Sequence, residues 1–299
     1  MSEEYAGNSP TSGTPSGKLI ELISEKISRK EMFYSIEVTP SDPPLDLTSL
    51  NPPPLFASIT WISDKNLVAF QHSPKACPAL EMARELRNNF PVLSHLTCFK
   101  MTSGDLTNIL RIGNLDSFFA LQGDASGNCP EFRYAAELVK WLRSNRPDAT
   151  IAVAGYPDGH FLATSLEDDL QRLKEKVDAG ADLIITQVNF SASKVIEFMR
   201  KCRSIGIKAT FLPGLFIPPS FESLQFVTKL GRIVVDEDIW RKFRETRENN
   251  DAFQEVILSI TEKWARQILE ECPEEISGFH IFTWNNLEMT QKFINRFSF

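Results

Sequence analysis

The chain has no apolar run of 18 residues, so no segment reads as a transmembrane helix. Its first stretch, MSEEYAGNSPTSGTPSGK, has neither a basic n-region nor an apolar h-region and does not read as a signal peptide. Basic residues are in deficit, 32 against 39 acidic ones, for a net charge of −7. No basic run interleaved with aromatics offsets this, so nucleic acid is not an expected partner. The five cysteines, Cys77, Cys98, Cys129, Cys202 and Cys272, are odd in number and form no CxxC pair. They read as ordinary thiols in a reduced, cytoplasmic setting. No GxGxxG follows any apolar run, no HxH or HExxH offers metal-ligand spacing, and no GxSxG marks a nucleophile.

What is present is enough apolar residue for a sizeable core, 42% of 299 residues. Residues 1–17, rich in Ser, Gly, Pro and Thr, read as a disordered tail. Residues 18–299 read as one domain. Eight short apolar runs predict strands: Phe33–Val38, Leu55–Trp61, Val92–Cys98, Ser117–Leu121, Thr150–Ala154, Asp182–Gln187, Lys208–Leu212 and Gly278–Phe282. Helix-like segments separate most of them. Asp105–Ile112 follows Thr102 and Ser103 as caps, and Leu166–Ala179 puts Leu166, Leu170, Leu173 and Val177 on one stripe before Gly180. Pro213–Ser277 leaves room for two or three more helices, the last ended by Pro273. Strands alternating with helices imply parallel pairing, and eight such units fit a (β/α)8 TIM-type barrel. A doubly wound open sheet is the competitor. It is disfavoured because polar residues end many strands instead of clustering at one switch point.

Those carboxyl-end residues are Glu37, Thr60, His95 with Thr97, Asp124, Tyr156 with His160, Gln187 and the Pro213–Gly214 turn. Glu37 inside SIEV is either a surface residue on a strand or a buried carboxyl. Burial would raise its pKa and suit a general acid. Asp124, after a glycine in LQGD, is either an ordinary turn residue or a charge beside a cofactor.

The blocks HLTC (His95–Cys98), GD (Gly123–Asp124), YAAELV (Tyr134–Val139), AGYPDGH (Ala154–His160), DLQRLKEKVDAGADLIITQ (Asp169–Gln187) and PG (Pro213–Gly214) share an order and spacing. In these the chain resembles methylenetetrahydrofolate reductase, from about Leu19 to Phe297. The resemblance implies a barrel holding FAD, with NADH or NADPH as co-substrate, that reduces methylenetetrahydrofolate to 5-methyltetrahydrofolate. It implies Glu37 as the acid that protonates the folate and Asp124 as the charge that stabilises the resulting iminium. It also implies Gln187 as the amide orienting the pterin and Phe221 as an aromatic packed on the substrate. Thr60, His95, Gly123, Asp124, Tyr134, Ala135, Tyr156, His160, Asp169, Arg172 and Lys176 match flavin-contacting positions or their neighbours.

Several positions depart from the family pattern, among them the first-strand continuation Val38–Pro40. Gln122 stands where Arg is usual, Val188 and Asn189 where aromatics are preferred, and Asn286 where Arg closes the last block. Arg172 is a candidate to compensate for Gln122. The resemblance implies the catalytic barrel of the family, without the C-terminal regulatory domain that many eukaryotic members carry. The departures leave a second reading open: a weakly active relative that binds flavin or folate, or partners a longer reductase. A metal-dependent hydrolase lacks ligand spacing. Assembly of identical copies and the choice of nicotinamide nucleotide are left open.

Overall fold

The structure, a computed structural model, describes residues 18–41, 43–61, 63–73, 77–123 and 131–299. Helix α1 (Leu19–Ser28) precedes strand β1 (Phe33–Val38). Strand β2 (Ala57–Ile59) is followed by α2 (Ser63–His72), α3 (Pro78–Leu86), β3 (Val92–Thr97) and α4 (Ser103–Gly113). Then β4 (Ser117–Leu121), α5 (Ala135–Asn145), β5 (Thr150–Gly155), α6 (Leu166–Asp178), β6 (Leu183–Thr186) and α7 (Ala192–Ser204) alternate. Strands β7 (Thr210–Leu212) and β8 (Gly214–Phe216) are separated by Pro213 alone. Helices α8 (Phe221–Leu230), α9 (Glu237–Glu245) and α10 (Asn250–Glu271) lead to β9 (Gly278–Phe282) and α11 (Leu287–Phe297).

Every strand pair is parallel, in the order β7-β6-β5-β4-β3-β2-β1-β9-β8. The two end strands are consecutive in the chain, so the ring closes through the polypeptide itself: a TIM-type barrel, as expected. Pro213 and Gly214 do not form the turn expected after strand seven. They bend one barrel strand so that its first half pairs with β6 and its second with β9. Proline has no N–H to give a ladder, which makes it the natural break point. Its carbonyl still accepts from His280 N at 2.9 Å. Gly214 N donates to Thr186 Oγ1 at 2.9 Å, and a Cβ there would sit 2.2 Å from the Thr186 carbonyl oxygen. Only glycine allows that approach.

Side chains alternate along each strand. Ile36, Ile59, Leu96, Phe118, Ile151, Val153, Ile184 and Ile281 point outward and join the apolar faces of the helices in the larger core. Phe33, Phe56, Leu93, Phe119, Ala152, Leu183, Ile185 and Leu212 point inward, where Leu19 and Ile23 of α1 join them. Helix α1 is not among the segments expected from periodicity. It plugs the amino end of the barrel, where Ile20 N donates to Thr150 Oγ1 at 3.0 Å and Lys18 pairs with Asp148. The periodicity of α6 and its stop hold: Gly180 has φ +116°. Thr102 caps α4 by accepting from Asp105 N. The region after β8 holds three helices, and α10 ends two residues before Pro273.

Candidate active site

The lumen changes character along its length. Apolar at the amino end, it becomes polar midway, because the inward positions of β1, β2, β3 and β9 carry Ser35 and Glu37, Ser58, His95, and His280. The register sets Glu37 beside Ser58 and Ser35 beside His280. Ser58 Oγ lies 2.7 Å from His95 Nε2, and Ser35 Oγ lies 2.8 Å from His280 Nδ1. Glu37 Oε2 is 3.7 Å from His95 Nε2, with its side chain 17% exposed. Phe119 meets the His95 ring edge-on at 4.8 Å, and Phe282 meets the His280 ring edge-on at 4.9 Å.

Burial disfavours charge on both members of the Glu37–His95 contact. It pushes the Glu37 carboxyl up to about 8 and the His95 imidazole down to about 3. At neutral pH the pair is therefore a protonated acid beside a neutral ring, not an ion pair. His280 is likewise pushed down to about 3 by burial, with the neighbouring His95 adding to it. The β9 end is wired to Glu37: Thr283 Oγ1 donates to the Glu37 carbonyl at 2.6 Å. Asn285 brackets Thr39, accepting from its N at 2.9 Å and donating to its O at 2.8 Å. Thr60 Oγ1 donates to Thr39 Oγ1 at 3.0 Å, so it stands at the same rim.

A second cluster forms at the carboxyl end of β5. Tyr156 and His160 pack edge-on at 4.6 Å. From α6, Lys176 Nζ donates to the Ala154 carbonyl at 2.6 Å and lies 5.8 Å from the Tyr156 ring centroid. Desolvation drops Lys176 to about 8 against the attraction of Asp169. Asp169 is buried, and burial raises its carboxyl while Lys176 and the His160 backbone N–H pull the other way. Arg172 turns elsewhere: its guanidinium lies 5.4 Å from the Tyr134 ring centroid and pairs with Asp168 at 3.2 Å. Tyr134 is the exposed N-cap of α5 and Ala135 its buried first residue.

Gln187 extends β6, its N donating to Gly155 O at 2.8 Å. Gly123, at φ +90°, follows β4 beside the exposed Gln122. Asp124 lies outside the described residues. The structure thus brings Glu37, Thr60 and His95 together, and Tyr156, His160, Asp169 and Lys176 together, with Tyr134 and Arg172 paired beside them and Gln187 on the neighbouring strand end.

Phe221, five residues past the carboxyl end of β8, opens α8. Its ring is buried, 5.6 Å from Trp240 of α9 and 6.1 Å from Phe253 of α10. Two aromatics that periodicity did not single out stand at the rim. Trp284, 48% exposed, packs edge-on against Phe226, 58% exposed, at 5.6 Å. Trp284 has φ +48° and Asn285 φ +62°, uncommon for non-glycine residues. His280 and Ser58 were also missed, although a polar residue inside an apolar run, as in SIEV, is the same signal.

The described cysteines, Cys77, Cys98, Cys202 and Cys272, are free thiols, and Cys129 lies outside the described residues. No helix among the described residues is long and apolar enough to cross a membrane.

Comparison with known proteins gives the family. A curated 5,10-methylenetetrahydrofolate reductase of Salmonella typhimurium is 31% identical over 251 residues, covering 82% of this chain and 80% of the relative. A probable methylenetetrahydrofolate reductase (NADPH) of Caenorhabditis elegans is 28% identical over 90% of this chain but only 43% of its own length. The chain thus spans less than half of that relative. Among solved structures, a Clostridium thermocellum protein described as binding two copies of 5-methyl-5,6,7,8-tetrahydrofolic acid shares the fold. Its TM-score is 0.63 at 14% identity, covering 91% of this chain and 97% of that one. The methylenetetrahydrofolate reductase family model matches residues 22–298, and the chain belongs to that family.

Proposed function

We propose that the barrel catalyses flavin-dependent reduction of 5,10-methylenetetrahydrofolate to 5-methyltetrahydrofolate, with NADH or NADPH as electron source. In this reading residues 18–299 act as one catalytic unit in the cytoplasm. The observation that carries it is Glu37: a carboxyl at the catalytic end of a barrel of this family, pushed to about 8 and so protonated at neutral pH.

The donor set at β5 suits a dinucleotide. Arg172, Lys176 and the Tyr134 hydroxyl can face phosphates, Asp169 can accept from sugar hydroxyls, and Tyr156 and His160 offer ring faces. FAD, when bound there, supplies a carrier that takes a hydride from the nicotinamide and gives it to the folate. The chain's own work lies around that transfer. Glu37 gives its proton to a folate nitrogen, opening the methylene bridge to an electrophilic iminium. His95, held by Ser58, stays neutral and leaves that proton on Glu37 until substrate arrives. Asp124 supplies the opposing negative charge, and Gln187 orients the pterin. Phe221 packs on the substrate, and the exposed Trp284 and Phe226 add aromatic surface at the rim.

The test is anaerobic stopped-flow: reduce with the nicotinamide nucleotide, then reoxidise with methylenetetrahydrofolate. Glu37→Gln should slow reoxidation by about 10²–10⁴-fold, the usual contribution of a general acid, and leave reduction intact. Loss of both half-reactions with flavin still bound defeats the assignment. A second reading, a weakly active flavin- or folate-binding relative, draws on the uncharged Gln122. A purified protein that is yellow but is not reoxidised by the folate would favour it.

A further inference from the structure

Gln187, Tyr156 and His160 sit on two neighbouring loops, after β6 and after β5. One buried side chain joins them. Asn189 is 4% exposed and uses both ends of its amide. Its Oδ1 accepts from Ser191 N at 2.7 Å, folding its own loop into the start of α7. Its Nδ2 donates to Asp158 Oδ2 at 2.6 Å, gripping the loop after β5. The orientation of the amide is forced, since a backbone N–H can only donate and a carboxylate can only accept. Lys194 Nζ holds the other Asp158 oxygen at 3.3 Å and reaches Asp236 Oδ1, just ahead of α9, at 3.1 Å.

We infer that Asn189 is a positioning residue for Gln187, locking the folate-facing loop to the flavin-facing loop through Asp158. The inference rests on the reductase reading for what the loops bind, though the tie itself does not. A fixed amide at Gln187 needs a fixed backbone, and two residues further on Asn189 supplies the anchor. The polar anchor ties loop position to one buried donor–acceptor pair, with Lys194 bracing the same carboxylate.

That pair can be inverted. Asn189→Asp keeps the acceptor for Ser191 N but sets two carboxylates face to face. Adding Asp158→Asn restores one donor and one acceptor with the original charge. Two measurements follow on the full chain. Amide hydrogen exchange over residues 187–191 should quicken at least tenfold in Asn189→Asp and return to within threefold of wild type in the double variant. The dissociation constant for 5-methyltetrahydrofolate, measured on flavin-loaded protein, should rise about tenfold in Asn189→Asp and recover in the double variant. On a Gln187→Ala background, Asn189→Asp should add nothing to it.

Unchanged exchange in Asn189→Asp, or no recovery in the double variant, overturns the tie. A folate effect that persists in full without Gln187 overturns the positioning role. Wild type that binds folate while Asn189→Asp binds it equally well sinks this inference and leaves the reductase reading standing. Wild type that binds no folate sinks the reading, and the positioning role with it, whatever the exchange data show.

Discussion

Two neighbouring groups with displaced protons give the site a pH signature. Glu37 ionises near 8 instead of 4.5, so between those values the folded chain holds a proton that the unfolded chain has released. Stability from this group is therefore lost as pH rises through that window, by up to about 1.4 kcal/mol per pH unit. The buried imidazoles act in the opposite direction. Their folded values near 3 lie below the ordinary 6.5, so stability is lost as pH falls through that interval. Glu37→Gln removes the alkaline-side cost alone. Its urea midpoint should gain on wild type between pH 5 and pH 9, and parallel midpoints would show that Glu37 is solvated. In the wild type, folate-driven reoxidation should decline above pH 8 as the acid loses its proton. At this scale the sequence was partly legible. Glu37 stood out because a carboxylate inside an apolar run needs a reason. His95 read as a flavin contact, yet its ring lies in the lumen against Ser58, a pairing set by strand register that no linear pattern displays. Phe221 read as a substrate contact, and its ring packs on Trp240 and Phe253, a contact between helices that no linear pattern displays.

Among the elements, the bent strand at Pro213 and the plug α1 carry the barrel. Gly214→Ala would push a methyl group into the Thr186 carbonyl, against backbone that has nowhere to move. We expect a loss of roughly 2–4 kcal/mol, at or above the usual range for overpacking, seen as a lower denaturant midpoint at unchanged slope. A variant as stable as wild type would mean that β7 and β8 can separate. In α1, Ile23 is fully buried against the inward-facing residues, and Ile23→Ala should cost about 2–5 kcal/mol. The alternating helices were legible because their apolar stripes face the sheet with a period of 3.6. Helix α1 was not, since only Leu19 and Ile23 of its ten residues are buried, and so short a stripe does not stand out. The ninth strand was hidden because a proline inside a three-plus-three run imitates a turn.

For the molecule as a whole, flavin retention separates the two functional readings. Gln122 is exposed and uncharged, while Arg172 lies over Tyr134 with one partner in Asp168. A charge-assisted hydrogen bond is worth roughly 1.5–3 kcal/mol. Gln122→Arg should therefore hold flavin more tightly and Arg172→Ala more loosely, read from fluorescence released on serial dilution. Wild type that binds no flavin, with no rescue by Gln122→Arg, would favour the binding-protein reading. The barrel class was legible from the count and spacing of apolar runs. The geometry of the mouth was not, because it is assembled from residues as far apart as Glu37 and Trp284.

The plug at the amino end has a practical corollary. Lys18 and α1 lie at the opposite pole of the barrel from the rim that carries Glu37, Gln187 and Trp284. An affinity tag, a fluorophore or a sensor surface joined directly to Lys18 is tethered at the blind end. A protein immobilised that way presents its open mouth to the flowing solution, while a tether placed in the loops after β5 or β6 would stand in the doorway.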